Sequence, residues 1–199
     1  VKADSAINTV EDLQDKRVSV GEEESGTEKN AEQILAAYGL SDRLVTEVNL
    51  DYTDAVEQLK TKEIDAMFCT AGAYTTVIGE LAKQCEIRFI DLDEKGIDKL
   101  MKSYDFYTEC EIPENTYVGQ TEAVRTVGVK AVLLASDKLS EKKVKEITEI
   151  LFENKAELQY ILPTDISLDE SQATEGITIP FHDGATAYYK ENGISMNEE

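Results

Sequence analysis

Between residues 16 and 93 the chain alternates short β-rich runs with stretches of helical period, and this rhythm constrains the fold more than any other feature. Parallel neighbours in a sheet need a crossover of a dozen or more residues, which a helix supplies. Repeated strand–helix–strand units therefore imply a parallel sheet flanked by helices. Arg17-Val18-Ser19-Val20-Gly21 reads as the first strand, and residues 27–38 as a helix with Ala31, Ile34 and Leu35 on its apolar face and Gly39 as its stop. Residues 44–50 follow as a second strand, 52–60 as a helix burying Ala55, Val56 and Leu59, and 65–69 as a third strand. Beyond Gly72 the pattern predicts a helix over 74–83, a strand over 87–92 and a short helix over 94–102.

The rhythm then changes. Residues 104–119 hold Tyr104, Phe106, Tyr107, Pro113 and Tyr117 with little helical period, and read as loop and edge strand. Residues 126–135 are β-branched and longer than the usual strand of about 5–6 residues, which suits a strand leaving one sheet for a neighbouring lobe. Residues 140–152 form an amphipathic helix with Ser140 as its cap and Val144, Ile147, Ile150 and Leu151 facing inward. The last helix is expected over 187–192, capped by Asp183 or Thr186 and stopped by Gly193.

Charge and composition remove several function classes. Twenty Lys and Arg stand against 41 Asp and Glu, a net charge of -21, so phosphate backbones and anionic lipid surfaces are repelled and no nucleic-acid partner is expected. The least interrupted apolar run, 127–135, contains Lys130 and is far short of the ~20 residues of a membrane span. Cys69, Cys85 and Cys110 lack the spacing of a metal site, and one disulfide among them stays open. His182 is the only histidine, which narrows general base chemistry near neutral pH.

Three stretches could carry chemistry. Gly21-Glu22-Glu23-Glu24-Ser25-Gly26-Thr27-Glu28 is a strand-to-helix turn in which Ser25 and Glu28 have capping-box spacing. Such a turn aims free amides and the positive end of a helix at one spot, where a carboxylate is held, although the same spacing serves an ordinary cap. Its three neighbouring glutamates disfavour a highly charged anion. Glu63 to Tyr74 is a buried strand ending in the small residues around Thr70-Ala71-Gly72 just before a helix, and such residues let backbone approach a ligand beyond the carboxyl end of a strand. Cys69 there would need a base to act as a nucleophile, and a buried inert thiol is the ordinary alternative. His182-Asp183-Gly184 marks a turn, in which His182 reads as a hydrogen-bonded structural residue because adjacent side chains do not face each other.

Five stretches in one order carry a resemblance. They are Val10-x-x-Leu13-x-x-Lys16-Arg17-Val18-Ser19-Val20-Gly21; Ser25-Gly26-Thr27-Glu28; Ile34-Leu35-x-x-Tyr38-Gly39-Leu40; Ile64-Asp65-Ala66-x-Phe68-x-x-Ala71-Gly72; and Ile179-Pro180-x-His182-x-Gly184-Ala185-x-x-Tyr188-Tyr189, ending at Gly193. Together they resemble the TAXI-type solute receptors of TRAP transporters across essentially the whole chain.

The resemblance implies an α/β fold of the periplasmic-binding-protein type II class, with a three-layer, mostly parallel lobe and part of a second. Residues 10–126 would be the ligand-binding lobe, and 127–199 a crossing strand plus the C-terminal helical part of the incomplete lobe. It implies a receptor without enzymatic activity, cofactor or metal, which captures a small organic anion or amino acid such as glutamate or a dicarboxylate. Delivery would be to TRAP permease subunits from an extracytoplasmic position, in the periplasm or lipid-anchored. Ser25, Gly26, Thr27, Thr70, Ala71, Gly72 and Tyr74 map onto its ligand-binding positions. Tyr74 stands where family members usually carry proline, and the chain starts where the receptors' second lobe begins, so their N-terminal segment is expected to be missing. The apolar tail 161–199 is then expected to be covered by a second copy in a homodimer, to fold back on its own lobe, or to be disordered. Two other classes stand beside this reading: a small hydrolase-like enzyme using Cys69 or Ser25, and an acidic protein-interaction domain.

Overall fold

The structure, a computed structural model, describes residues 1–161 and 168–196. The part of the expected tail that falls on 162–167 and 197–199 lies outside the described residues. The chain divides into two units. Unit 1 comprises Val1–Tyr104 and Glu109–Gly128, and unit 2 comprises Asp105–Thr108 with the described residues of Val129–Glu199.

Unit 1 is a mixed α/β structure around a three-stranded parallel sheet. Its strands are β1 (Arg17–Gly21), β2 (Thr46–Asn49) and β3 (Ala66–Met67), in the order β2-β1-β3. Val18 pairs with Glu47 on one side and with Ala66 on the other. Helix α1 (Gly26–Ala37) connects β1 to β2, and α2 (Tyr52–Thr61) connects β2 to β3. The two crossovers run in opposite directions across the sheet, so the right-handed rule places α1 and α2 on opposite faces. Accordingly α1 packs with α4 (Glu94–Ser103), and α2 with α3 (Thr76–Gln84). Val18 and Val20 of the central strand are fully buried, and Ala55, Leu59, Ile64 and Leu81 form the core under α2 and α3.

Local chemistry explains where the helices start and stop. Ser25, Asp51 and Asp93 each accept a hydrogen bond from a backbone amide in the first turn of α1, α2 and α4. Helix α1 ends as its glycine stop predicts: Leu40 N–H donates to Leu35 O at 2.9 Å and Gly39 N–H to Ala36 O at 3.0 Å.

Three expectations for unit 1 and its exit are corrected. The strand over 87–92 does not form: the pairing there is an isolated bridge from Ile87 to Lys2, while Leu92 N–H bonds Arg125 O and the Arg88 guanidinium holds the carbonyls of Ser5 and Ile7. Its backbone partners are divided among separate segments, which breaks a ladder. The third strand covers two residues rather than five. The long strand over 126–135 becomes β5 (Val124–Val129), paired with β4 (Tyr107–Ile112), and residues 130–135 continue without secondary structure. Leu133 and Leu134 are 70% and 73% exposed there.

Unit 2 is built on α5 (Glu141–Glu153) and α7 (Asp183–Glu191), with α6 (Lys155–Ile161) and a short 3-10 turn, Glu170–Gln172, between them. Ser140 caps α5 as expected, accepting from Lys143 N–H at 3.3 Å. The buried stripe of α5 is Val144, Thr148 and Phe152, spaced four residues apart toward α7. Ile147 and Ile150, expected inside, are 39% and 51% exposed, because among the described residues the packing of α5 is mainly against α7, which covers only a narrow stripe. Phe152 stacks on Tyr188 at 5.8 Å, and Tyr189 is buried beside them, so this part of the tail folds onto its own unit. Helix α7 starts four residues earlier than expected, and its cap is neither Asp183 nor Thr186. His182 takes that place, its Nδ1 accepting from Gly184 N–H at 3.1 Å.

Candidate functional site

Parallel strands present their carboxyl ends along one edge, and two of the three loops that leave that edge in unit 1 carry the expected site residues. The β1–α1 turn holds Ser25, Gly26 and Thr27; the segment after β3 holds Thr70, Ala71, Gly72 and Tyr74; between them α2 begins at Tyr52.

The first turn is tight because Gly21 takes φ +100°, and a β-carbon there would lie 2.8 Å from Thr27 Cβ and 3.0 Å from Ser25 Oγ. Glycine is thus required both by conformation and by space. Ser25 Oγ accepts from Glu28 N–H at 3.1 Å, and the Glu28 carboxylate returns to Glu24 N–H at 2.7 Å and to Asn49 Nδ2 at 2.6 Å. The capping box is therefore displaced by one residue, since the glutamate takes the amide before the cap. The glutamate also clamps the end of β2.

Thr27 is 7% exposed, and its hydroxyl lies 2.8 Å from the Tyr52 hydroxyl. Tyr52 bonds both backbone groups of Thr70, and Asn30 Nδ2 donates to Thr70 Oγ1 at 3.0 Å. The structure thus brings Thr27 and Thr70 together through one phenol. Ala71 is exposed, Gly72 half-buried, and Tyr74 lies apart from this network with its ring stacked on Tyr117 at 5.5 Å. Its hydroxyl sits over Gly79 of α3, where a β-carbon would come within 2.7 Å. Tyr52, Asn30 and Tyr117 were not legible as site residues. Tyr52 reads as the first residue of a helix and Tyr117 as one aromatic in a loop, and neither spacing reveals a tertiary bond.

The surroundings are acidic. Glu22, Glu23 and Glu24 are exposed on the turn, and Lys29, the nearest cation along α1, is engaged by Glu32 at 3.0 Å. Burial, with the carboxylates of Glu32, Asp42 and Glu28 nearby, pushes the Glu47 carboxyl up. Burial likewise pushes up the Tyr52 and Tyr117 hydroxyls, which are neutral donors and acceptors at neutral pH.

Catalytic alternatives find little geometry. All three cysteines are free. Burial pushes the Cys69 thiol up, away from the reactive thiolate, and the group bonded to it is the Tyr52 hydroxyl rather than a base. Both ring nitrogens of His182 are committed within unit 2, Nδ1 to Gly184 N–H and Nε2 to Leu139 O. Among the described residues no group of His, Cys, Asp and Glu is arranged to hold a metal ion, and no helix is long and apolar enough to cross a membrane.

Comparison with known proteins gives two findings. The model of the NMT1-like family matches residues 1–193. Among solved structures, the chain is similar to the periplasmic aliphatic sulphonate binding protein SsuA from Escherichia coli, with 17% sequence identity and a TM-score of 0.41. The match covers 96% of this chain and 45% of that one, so the chain spans less than half the length of that protein.

Proposed function

The chain belongs to the NMT1-like family, and on that premise we propose that it is a solute-binding part of an extracytoplasmic transport receptor. It is a binding protein rather than an enzyme, as the family is. In this reading a small polar solute is held at the carboxyl edge of the unit 1 sheet and passed to a membrane permease. The observation that carries it is the junction of Thr27 and Thr70 on the Tyr52 hydroxyl, which brings two of the three loops of that edge to one place.

The finer reading keeps the solute class as a small organic anion or amino acid, glutamate or a dicarboxylate, and the permease as a TRAP-type carrier served by a TAXI-type receptor. Ser25, Gly26, Thr27, Thr70, Ala71, Gly72 and Tyr74 are its contact residues. The exposed glutamates of the β1–α1 turn favour the less charged members of that class. A homodimer of the chain belongs to the same reading.

Titration calorimetry with L-glutamate and succinate, beside light scattering on the same sample, tests it. Saturable binding without chemical change of the solute is expected, and Ser25→Ala should weaken it by about 1–3 kcal/mol where a charge-assisted bond is lost. Absence of binding by both solutes removes the finer assignment, and turnover of either removes the receptor reading.

A further inference from the structure

Residues 70–75 connect β3 to α3, and both ends of this loop are held by tyrosine hydroxyls from distant parts of unit 1. At one end Tyr52 accepts from Thr70 N–H at 3.1 Å and donates to Thr70 O at 3.0 Å. At the other, Tyr117 accepts from Thr75 N–H at 2.9 Å and donates to Ala73 O at 2.9 Å. Each phenol therefore satisfies one backbone donor and one backbone acceptor of the same short loop. Between the pins, the amides of Ala71, Gly72, Ala73 and Tyr74 have no partner in the protein among the described residues. Ala71, Gly72 and Ala73 also carry almost no side chain, so what the loop presents is backbone.

Burial sharpens the difference between the two threonines. The Thr27 hydroxyl is buried, with the residue 7% exposed, and lies in one cluster with the Tyr52 hydroxyl, which also bonds Thr70 and the Cys69 thiol. It is spent inside the protein, whereas Thr70 is exposed. Thr70 Oγ1 instead accepts from Asn30 and keeps its own proton.

We propose that Tyr52 and Tyr117 are positioning residues that fix the 70–75 loop as a preformed, donor-rich wall of the solute site, and that Thr70 rather than Thr27 supplies the hydroxyl proton to the solute. A wall fixed before binding loses little conformational freedom when solute arrives, and its four unspent amides suit a group rich in hydrogen-bond acceptors, such as a carboxylate or carbonyl. The inference rests on the solute-binding reading for what the wall serves, whereas the pinning is testable without a ligand.

Amide hydrogen exchange followed by NMR, on the chain and on Tyr52→Phe and Tyr117→Phe, reads the pins directly. Tyr52→Phe should speed exchange at Thr70 by about ten-fold or more, with Ala55 and Leu59 of the same helix unchanged. Tyr117→Phe should do the same at Thr75. Unchanged exchange at both positions, or a uniform acceleration that includes α2, overturns the proposal. If either variant fails to fold, the other carries the test alone. With L-glutamate as probe, Thr70→Val should weaken binding at least about ten-fold, and by several-fold more than Thr27→Val does. Equal losses overturn the donor assignment. Failure of the unmodified chain to bind glutamate counts against the solute reading above, and the exchange rates still decide the pinning.

Discussion

Replacing Gly21 by alanine separates the two reasons for glycine at the mouth of the site. The residue sits at φ +100°, where an L side chain costs about 1–2 kcal/mol. The new β-carbon would also stand 2.8 Å from Thr27 Cβ, 2.9 Å from Thr27 Cγ2 and 3.0 Å from Ser25 Oγ. These neighbours belong to the first turn of α1 and to its cap, and cannot swing away as the end of a long side chain would. Relieving the crowding should cost a further ~1–3 kcal/mol, the usual range for overpacking. The sum, about 2–5 kcal/mol, is a large share of the 5–15 kcal/mol that holds a typical domain folded. Urea unfolding followed by circular dichroism and tyrosine fluorescence is a suitable assay, since the chain has nine tyrosines and no tryptophan. A cycle with Thr27→Gly then isolates the steric part. Gly21→Ala should be milder by ~1–2 kcal/mol in the Thr27→Gly background, and the residue of the penalty is conformational. A loss below about 1 kcal/mol for Gly21→Ala, or no coupling in the cycle, would refute this reasoning.

Two further outcomes follow from caps outside the site. The Gly96 amide, then the Tyr38 hydroxyl, hold the Asp93 carboxyl below the usual carboxylate range. A depressed folded value means that this stability is full above the ordinary carboxylate pKa of about 4 and is lost as pH falls through the lower folded value. The advantage of the wild-type chain over Asp93→Asn, measured as urea midpoints from pH 2 to 7, should therefore shrink on the acid side and be constant above it. At α7, His182→Ala should destabilise unit 2 by about 0.5–2 kcal/mol and lower helicity, while His182→Asn, a strong cap former, should recover most of the loss. Equal losses in both variants would mean that the ring matters for packing and not for the cap.

The sequence was most legible where structure is local. Ser25, Ser140, Gly39 and Gly193 bound their helices as expected because a cap or stop involves atoms within a few residues of each other. The βαβ rhythm was legible for the same reason, since the burial of Ala31, Ile34 and Leu35 repeats with the helical turn. Residues 87–92 look equally strand-like, but a ladder needs a continuous partner, which no periodicity within the segment encodes. The face of α5 failed differently: an apolar stripe wide enough for several neighbours packs chiefly against α7 among the described residues, and Ile147 and Ile150 stay out. The residues read as contacts were seen as small groups near loop glycines. What joins them is a phenol 25 residues from Thr27 and 18 from Thr70, a relation created by the crossover and visible only after the strands have paired.

The two units also exchange a piece of chain. Residues 1–104 belong to unit 1, Asp105–Thr108 to unit 2, Glu109–Gly128 to unit 1 again, and the chain then leaves once more within β5. No single cut therefore dissects the molecule. A fragment ending at Gly128 would carry four residues of the other unit with it, among them Phe106, which lines an apolar groove with Val129, Val132, Ile177 and Ile179, and Tyr107, which is buried. The complementary fragment would keep that groove with one wall removed. Neither unit can be expressed alone, swapped between relatives or released by one proteolytic nick without leaving part of itself behind, so the two units have to be inherited, engineered and unfolded with their shared strand in view.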